Sequence, residues 1–114
     1  MLAKAQRLRR SREVARLLKR GQAVSNQFFT LKFLFQPAQP SQATVIISTK
    51  VAKKAVRRNR LRRQLQAALQ KNWSQLKPGV ALVIIAKAES LTLNDFWQLN
   101  QVVRELMRQA HLLC

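Results

Sequence analysis

Acid is what this chain has least of. Four carboxylates, Glu13, Glu89, Asp95 and Glu105, stand against 22 lysines and arginines, for a formal charge of +18 over 114 residues. Like charge at that density repels itself and opposes compaction, so the chain is expected to work beside a polyanion. Nucleic acid is the first candidate and an anionic membrane surface the second. The same scarcity excludes chemistry. A two-metal nuclease centre needs several converging carboxylates, and these four are well spread along the chain. His111 is the single histidine, and there is no Ser-His-Asp set, Walker loop or zinc pattern. Hydrolysis by this protein alone is not expected, and no catalytic or metal-binding residue is assigned to it.

Cysteine is almost as scarce. Cys114 is alone at the end of the sequence, so neither an internal disulfide nor a cysteine-based metal site is available, and no prenylation box follows it. A reducing, cytoplasmic compartment is expected. No apolar run approaches the ~18–20 residues of a membrane span. No apolar h-region follows the basic N-terminus, so a secretory signal is not expected either. Asn72-Trp73-Ser74 fits a glycosylation pattern, which without secretion is read as chance. With 47% hydrophobic residues, the chain can bury one core, and residues 1–114 read as one domain.

What is abundant is concentrated. From Lys50 to Arg63 there are eight cations and no acid: Lys50, Lys53, Lys54, Arg57, Arg58, Arg60, Arg62 and Arg63, with Asn59 among the arginines. The run has no Gly, Ser or Pro, and it leads directly into a helical pattern of Leu61, Leu65, Ala68 and Leu69. The charge is therefore displayed on a folded element. With Leu61 centred on the buried face, Asn59 falls at roughly 160° and Arg63 at roughly 200°, with Arg62 and Arg60 on the flanks at roughly 100° and 260°. Cations at a helix start oppose the macrodipole by ~0.3–1 kcal/mol each. Four of them there indicate that an anion is expected, since backbone N–H groups and arginine forks bind phosphate together.

Residues 1–10 are basic without a clear period and read as a mobile arm. Ser11 caps a first helix with Glu13 in its first turn, and Val14, Leu17 and Leu18 form its stripe before Gly21 stops it. Val24 to Phe35 reads as one strand region, with Phe29, Leu31, Phe33 and Phe35 on one face and Phe28, Thr30, Lys32 and Leu34 on the other. Gln36 to Gln42 is read as a proline-marked hairpin connection rather than an SH3 ligand, and Thr44 to Thr49 as a strand. A helix over about Arg57 to Trp73 follows, closed by Pro78-Gly79. Val80 to Ala86 is expected to be a central strand buried on both faces. Thr92 or Asn94 is expected to cap the last helix, with Leu99, Val102, Val103, Leu106 and Ala110 as its core stripe. The expectation is an α+β fold: a mixed four-stranded sheet with three helices in a two-layer α/β sandwich.

The run Lys53-Lys54-Ala55-Val56-Arg57-Arg58-Asn59-Arg60-Leu61-Arg62-Arg63 resembles the signature of the protein subunit of bacterial ribonuclease P, with Arg58-Asn59-Arg60 as its core and Arg62-Arg63 as the basic pair that follows. The likeness extends over nearly the whole chain, through Arg7-Leu8, Lys19-Arg20-Gly21, Phe28 and Val83-Ile84-Ile85-Ala86-Lys87. It implies a domain like that of a ribosomal protein, with a left-handed β-α-β crossover, although general connection rules give the opposite hand. It further implies a non-catalytic subunit that binds the catalytic RNA and the 5′ leader of precursor tRNA and promotes removal of that leader. Mg²⁺ would be held mainly by the RNA, with no membrane and no protein partner required.

On that resemblance, Arg58, Asn59, Arg60, Arg62 and Arg63 would contact the RNA, and Lys50, Lys53, Lys54 and Arg57 would extend the surface. Val14, Leu18, Phe28 and Leu31 would line a leader cleft. Val14, Leu18 and Leu31 are aliphatic where the family often has aromatic residues. The chain also departs from the family at Ala43-Thr44-Val45, where Arg-x-Gly is usual, at Lys50-Val51, where paired lysines are usual, and at Lys53, where glycine is usual. A structural ribosomal protein or general RNA chaperone explains the charge equally well. Sequence-specific DNA binding is a distant third, because no docking motif is present.

Overall fold

The computed structural model describes residues 2–8, 11–93 and 95–114. Three helices, α1 (Ser11–Arg20), α2 (Ala55–Asn72) and α3 (Phe96–Gln109), accompany four strands, β1 (Gln22–Ser25), β2 (Phe29–Phe35), β3 (Gln42–Ile46) and β4 (Val80–Ala86). The strand order is β1-β2-β4-β3. β4 pairs antiparallel with β2, from Phe29 opposite Ala86 to Phe35 opposite Val80, and parallel with β3, from Gln42 opposite Ala81 to Ile46 opposite Ile85. Its apolar run is buried along nearly its whole length, as a central strand with both faces covered requires.

Alternation divides the sheet's side chains between two cores. Phe29, Leu31, Phe33, Leu82 and Ile84 pack with Leu61, Leu65, Ala68 and Leu69 of α2 and Leu99, Val103 and Leu106 of α3. This is the main sandwich. Ala81 and Val83 face the other way, onto Leu8 and Leu17, with Val14, Leu18, Leu34 and Ile46 packed around them. α1 therefore lies against part of the second sheet face.

Four local expectations change. The Val24–Phe35 region is two strands, because Asn26 folds the chain back. Its Oδ1 accepts from the N–H groups of Phe28 and Phe29, both at 2.8 Å, and β1 pairs with β2 as the local hairpin. The 36–41 segment is not a hairpin, since β4 lies between β2 and β3. Gly79, at φ +71°, brings the start of β4 against it, and a Cβ there would stand 2.8 Å from the Gln36 carbonyl oxygen. Ser41 ties the same corner. Its Oγ donates to the Lys77 carbonyl and accepts from the Val80 N–H, both at 3.0 Å.

The N-terminal arm is packed where it is described. Leu2 and Leu8 are buried, Arg7 bridges Ala43 in parallel, and the Leu8 N–H donates to the Ala43 carbonyl. Its leucines dock, Lys4 stays exposed, and half-buried Arg7 donates from Nε to the Leu2 carbonyl at 3.0 Å. Met1, Arg9 and Arg10 lie outside the described residues, as does Asn94, one of the two expected caps of α3. Asp95 caps that helix instead, its Oδ1 accepting from the Gln98 N–H at 2.8 Å.

Two features have no counterpart in the sequence pattern. Asn72, on the core side of α2, donates to the Ala68 carbonyl and to Asn100 Oδ1 of α3, while its own Oδ1 accepts from Arg104. The Asn72 side chain is thus engaged inside the fold, and the apparent glycosylation triplet has no accessible amide. His111 ends α3 at φ 59°, with the Leu112 N–H returning to the Met107 carbonyl and the His111 N–H to the Arg108 carbonyl. This is a Schellman closure with its left-handed position held by a residue other than glycine. Left-handed backbone costs a non-glycine residue roughly 1–2 kcal/mol. His111→Gly should accordingly raise stability by about 1 kcal/mol in thermal or urea unfolding. A lowered midpoint would mean that the imidazole makes a contact that outweighs the strain.

Candidate nucleic-acid interface

The basic run begins in a loop whose turns are closed by the Val51 and Ala52 N–H groups donating to the Ser48 carbonyl. Buried Ala52 anchors this loop to the body of the protein. Lys54 is the N-cap residue of α2. It supplies no side-chain cap, and the first turn holds no acid. Arg58 cannot cap, since a guanidinium only donates, but it braces the chain just before the helix. Its Nη1 reaches back to the carbonyls of Ala52, at 2.9 Å, and Lys53, at 2.8 Å. A guanidinium thereby fixes the shape of the loop that carries Lys50, Lys53 and Lys54.

Beyond this point the helix displays its charge as its periodicity dictates. Leu61, Leu65, Ala68 and Leu69 are buried, while Arg57, Asn59, Arg60 and Arg63 are exposed and Arg62 is half-buried. Asn59 Oδ1 accepts from Arg62 Nη1 at 2.9 Å, one turn away. The neutral amide thus orients a neighbouring cation, and the two form one polar unit on the crest. Arg57 and Arg60 lie on the opposite flank, where they line a pocket with Gln64 and the 90–93 segment. The nine expected interface residues therefore come together around the start of α2, with Arg58 turned to the backbone. Among the described residues the one ion pair is Glu105 with Arg108, exposed and 3.6 Å apart. The ridge cations have no acid to balance them, so a polyanion would relieve their mutual repulsion.

The expected cleft set does not share one surface. Val14 and Leu18 of α1 are half-buried on the α1 face of the sheet. Leu31 is fully buried on the opposite face, among the residues that meet α2 and α3. The reason is strand parity: Leu31 shares the side of Phe29 and Phe33. Phe28 precedes β2, and the Asn26 turn directs it to α3, where it lines a second pocket with Val102 and Glu105. The β2 residues on the α1 side include Lys32 and Leu34. Lys32 Nζ donates to the Leu18 carbonyl at 2.7 Å, pinning the end of α1 to the sheet. Lys32 is not in the expected set, although the alternation along β2 already places it opposite Leu31.

No group of three His, Cys, Asp or Glu side chains able to hold a metal forms among the described residues. The described residues of this interface offer cations and amides and no carboxylate set for a Mg²⁺ ion. Arg58 and Arg63 should separate experimentally. Arg58→Ala removes charge-assisted bonds to two carbonyls, each class worth about 1.5–3 kcal/mol. It should lower stability by about 1 kcal/mol or more on that scale, whereas Arg63→Ala should leave the unfolding midpoint unchanged or slightly raised. Equal midpoints for the two variants would return Arg58 to the solvent-facing set.

Comparison with known proteins agrees over the whole length of this architecture. The family model described as Ribonuclease P matches residues 2–111. A ribonuclease P protein component from Synechococcus sp. (strain JA-2-3B'a(2-13)) is 42% identical over 99% of this chain and 87% of its own length. The Trichormus variabilis protein of the same name is 35% identical over 98% of this chain and 96% of its own. Among solved structures, the RNase P protein of Thermotoga maritima superposes with a TM-score of 0.78 at 26% identity, covering 90% of this chain and 96% of that one. The Staphylococcus aureus RNase P protein has the same fold at a TM-score of 0.87 and 19% identity, covering 97% and 100%. With its α2 ridge, its mixed sheet and these full-length matches, the chain belongs to the ribonuclease P protein component family.

Proposed function

We propose that this protein is the non-catalytic subunit of a ribonuclease P holoenzyme. Its α2 ridge grips the catalytic RNA, and its α1 face receives the 5′ leader of precursor tRNA while the RNA cleaves it to leave the mature 5′ end. The observation that carries the reading is the acid-free ridge from Lys50 to Arg63, set on a rigid helix inside a chain-long family match. Counterion release from RNA favours each phosphate contact made by such cations. Mg²⁺ belongs mainly to the RNA in this reading, where it supplies charge stabilisation for phosphodiester cleavage. The protein's cations lower the screening the complex demands. Among the described residues no helix is long and apolar enough to cross a membrane. In this reading the holoenzyme works in the cytoplasm, where its RNA and its substrate are.

In this reading the leader surface consists of Val14, Leu18 and Lys32. Val14 and Leu18 supply aliphatic contact on α1, and Lys32 adds an amine beside them. An aliphatic wall packs bases more weakly than an aromatic one, which gives ~1–3 kcal/mol per stacked base. The expected balance is therefore more backbone attraction and less base stacking.

Reconstitution tests the reading. Added to its RNA, the protein should let precursor tRNA be cleaved at lower Mg²⁺, and cleavage should stop when the RNA is omitted. Arg62→Ala and Arg63→Ala should each weaken RNA binding and reduce the log–log salt slope by about 0.7–0.9 for every phosphate no longer neutralised. No change in Mg²⁺ demand or substrate affinity would reject the assignment. Recovery of ribosomal RNA rather than ribonuclease P RNA with the protein from cells would favour a ribosomal or chaperone role.

A further inference from the structure

The flank of α2 opposite the Asn59–Arg62 unit continues past the basic run toward the far end of the helix. Arg57, Arg60 and Gln64 line a pocket of about 240 Å³, closed on its far side by Ser90, Leu91 and Leu93. Arg62 and Lys71 are nine residues apart in sequence and therefore project from opposite sides of the helix. Lys71 continues the Arg57–Arg60–Gln64 flank toward the far end of α2. There its Nζ lies 4.8 Å from the ring centroid of Trp97, which stands 65% exposed at the start of α3. The indole plane is held by Phe96, whose ring meets it edge-on at 5.4 Å and 73°. Phe96 itself packs against the main core.

A large flat ring, fixed from behind, paired with a cation and left in water, has the makings of a base-stacking platform. The pocket is smaller than the ~300–1,000 Å³ of cofactor sites. Its two guanidiniums and one amide suit a phosphate and a base edge. From Arg60 to Lys71 the helix rises by roughly 16 Å, about five nucleotides at the stacked spacing of one strand. Asp95, the acid nearest the platform in sequence, is engaged in capping the Gln98 N–H.

We propose that this flank is a second RNA site, which takes an unpaired strand with its phosphates along Arg57, Arg60 and Lys71 and one base stacked on Trp97. It deepens the reading above, on which it rests for the identity of the RNA. It shares Arg57 and Arg60 with the basic run and lies apart from the Asn59–Arg62 unit and from the α1 face.

Tryptophan fluorescence tests it on the full chain. A five-nucleotide oligoadenylate should quench the emission, and Trp97→Phe should remove that quenching, leaving half-buried Trp73 as the reference. Trp97→Phe should keep most of the affinity for the oligonucleotide, and Trp97→Leu should lose about fivefold or more. Inorganic polyphosphate, a polyanion without bases, should bind without quenching Trp97. Equal affinity for Trp97→Leu and wild type overturns the proposal, as does equal quenching by polyphosphate. Arg63→Ala binding to ribonuclease P RNA is measured in parallel. If that variant weakens binding while Trp97 stays silent, only the second site fails. If the protein has no affinity for that RNA while Trp97 still responds to the oligonucleotide, the holoenzyme reading fails instead.

Discussion

The double pairing of β4 is the constraint on which the other elements depend. Its seven residues accept β2 on one edge and β3 on the other, and its alternating side chains enter both cores. A strand so placed must be apolar on both faces, and Val80 to Ala86 meets that demand without a polar residue. Its position is fixed at one end by Ser41 bridging Lys77 and Val80, and by Gly79 pressed against the Gln36–Pro37 backbone. A side chain at Gly79 would be refused twice, by the positive φ and by the neighbouring carbonyl. The helices inherit their places from this strand, and the cationic ridge inherits its direction from the helices.

The placement of charge follows from the same packing. A helix with a net repulsive surface stays folded because its other face is buried. Leu61, Leu65, Ala68 and Leu69 together remove enough apolar surface to offset the ~0.3–1 kcal/mol that each misplaced cation costs at the helix start. Arg58 shows how the fold limits that cost, since its guanidinium answers two backbone carbonyls directly before the helix. A cation-rich segment thus contains a member whose charge is internal to the architecture, and its neighbours stand clear for a partner.

Periodic features are legible in the sequence. The buried stripe of α2, the central strand and the exposed crest all follow from counting residues at helical or strand spacing. Features that depend on two segments meeting are not. The polar contact of Asn72 with Asn100 and Arg104 joins residues 28 and 32 positions apart in sequence. The Lys32–Leu18 bond joins a strand to the helix before it. The failure of Leu31 and Phe28 to join the α1 cleft has a simple source. Alternation does not run through residues 26–28, where Asn26 breaks the strand, and the sheet itself stands between Leu31 and α1. In the N-terminal arm charge dominates the composition, while two leucines, Leu2 and Leu8, decide the position.

The strand order also carries a consequence for how the chain comes into being. Synthesis delivers β1 and β2 first, and they can close as a hairpin around Asn26. β3 emerges next and finds only the short Arg7–Leu8 arm beside Ala43, because the strand that belongs between it and β2 follows only after the whole of α2. During that interval the basic helix is already outside while the edges of β2 and β3 that β4 will cover stand open. The nascent protein is then at its stickiest toward both nucleic acid and other strands. Arrival of β4 shuts both edges in a single event, so the sheet and the core beneath the ridge are completed together.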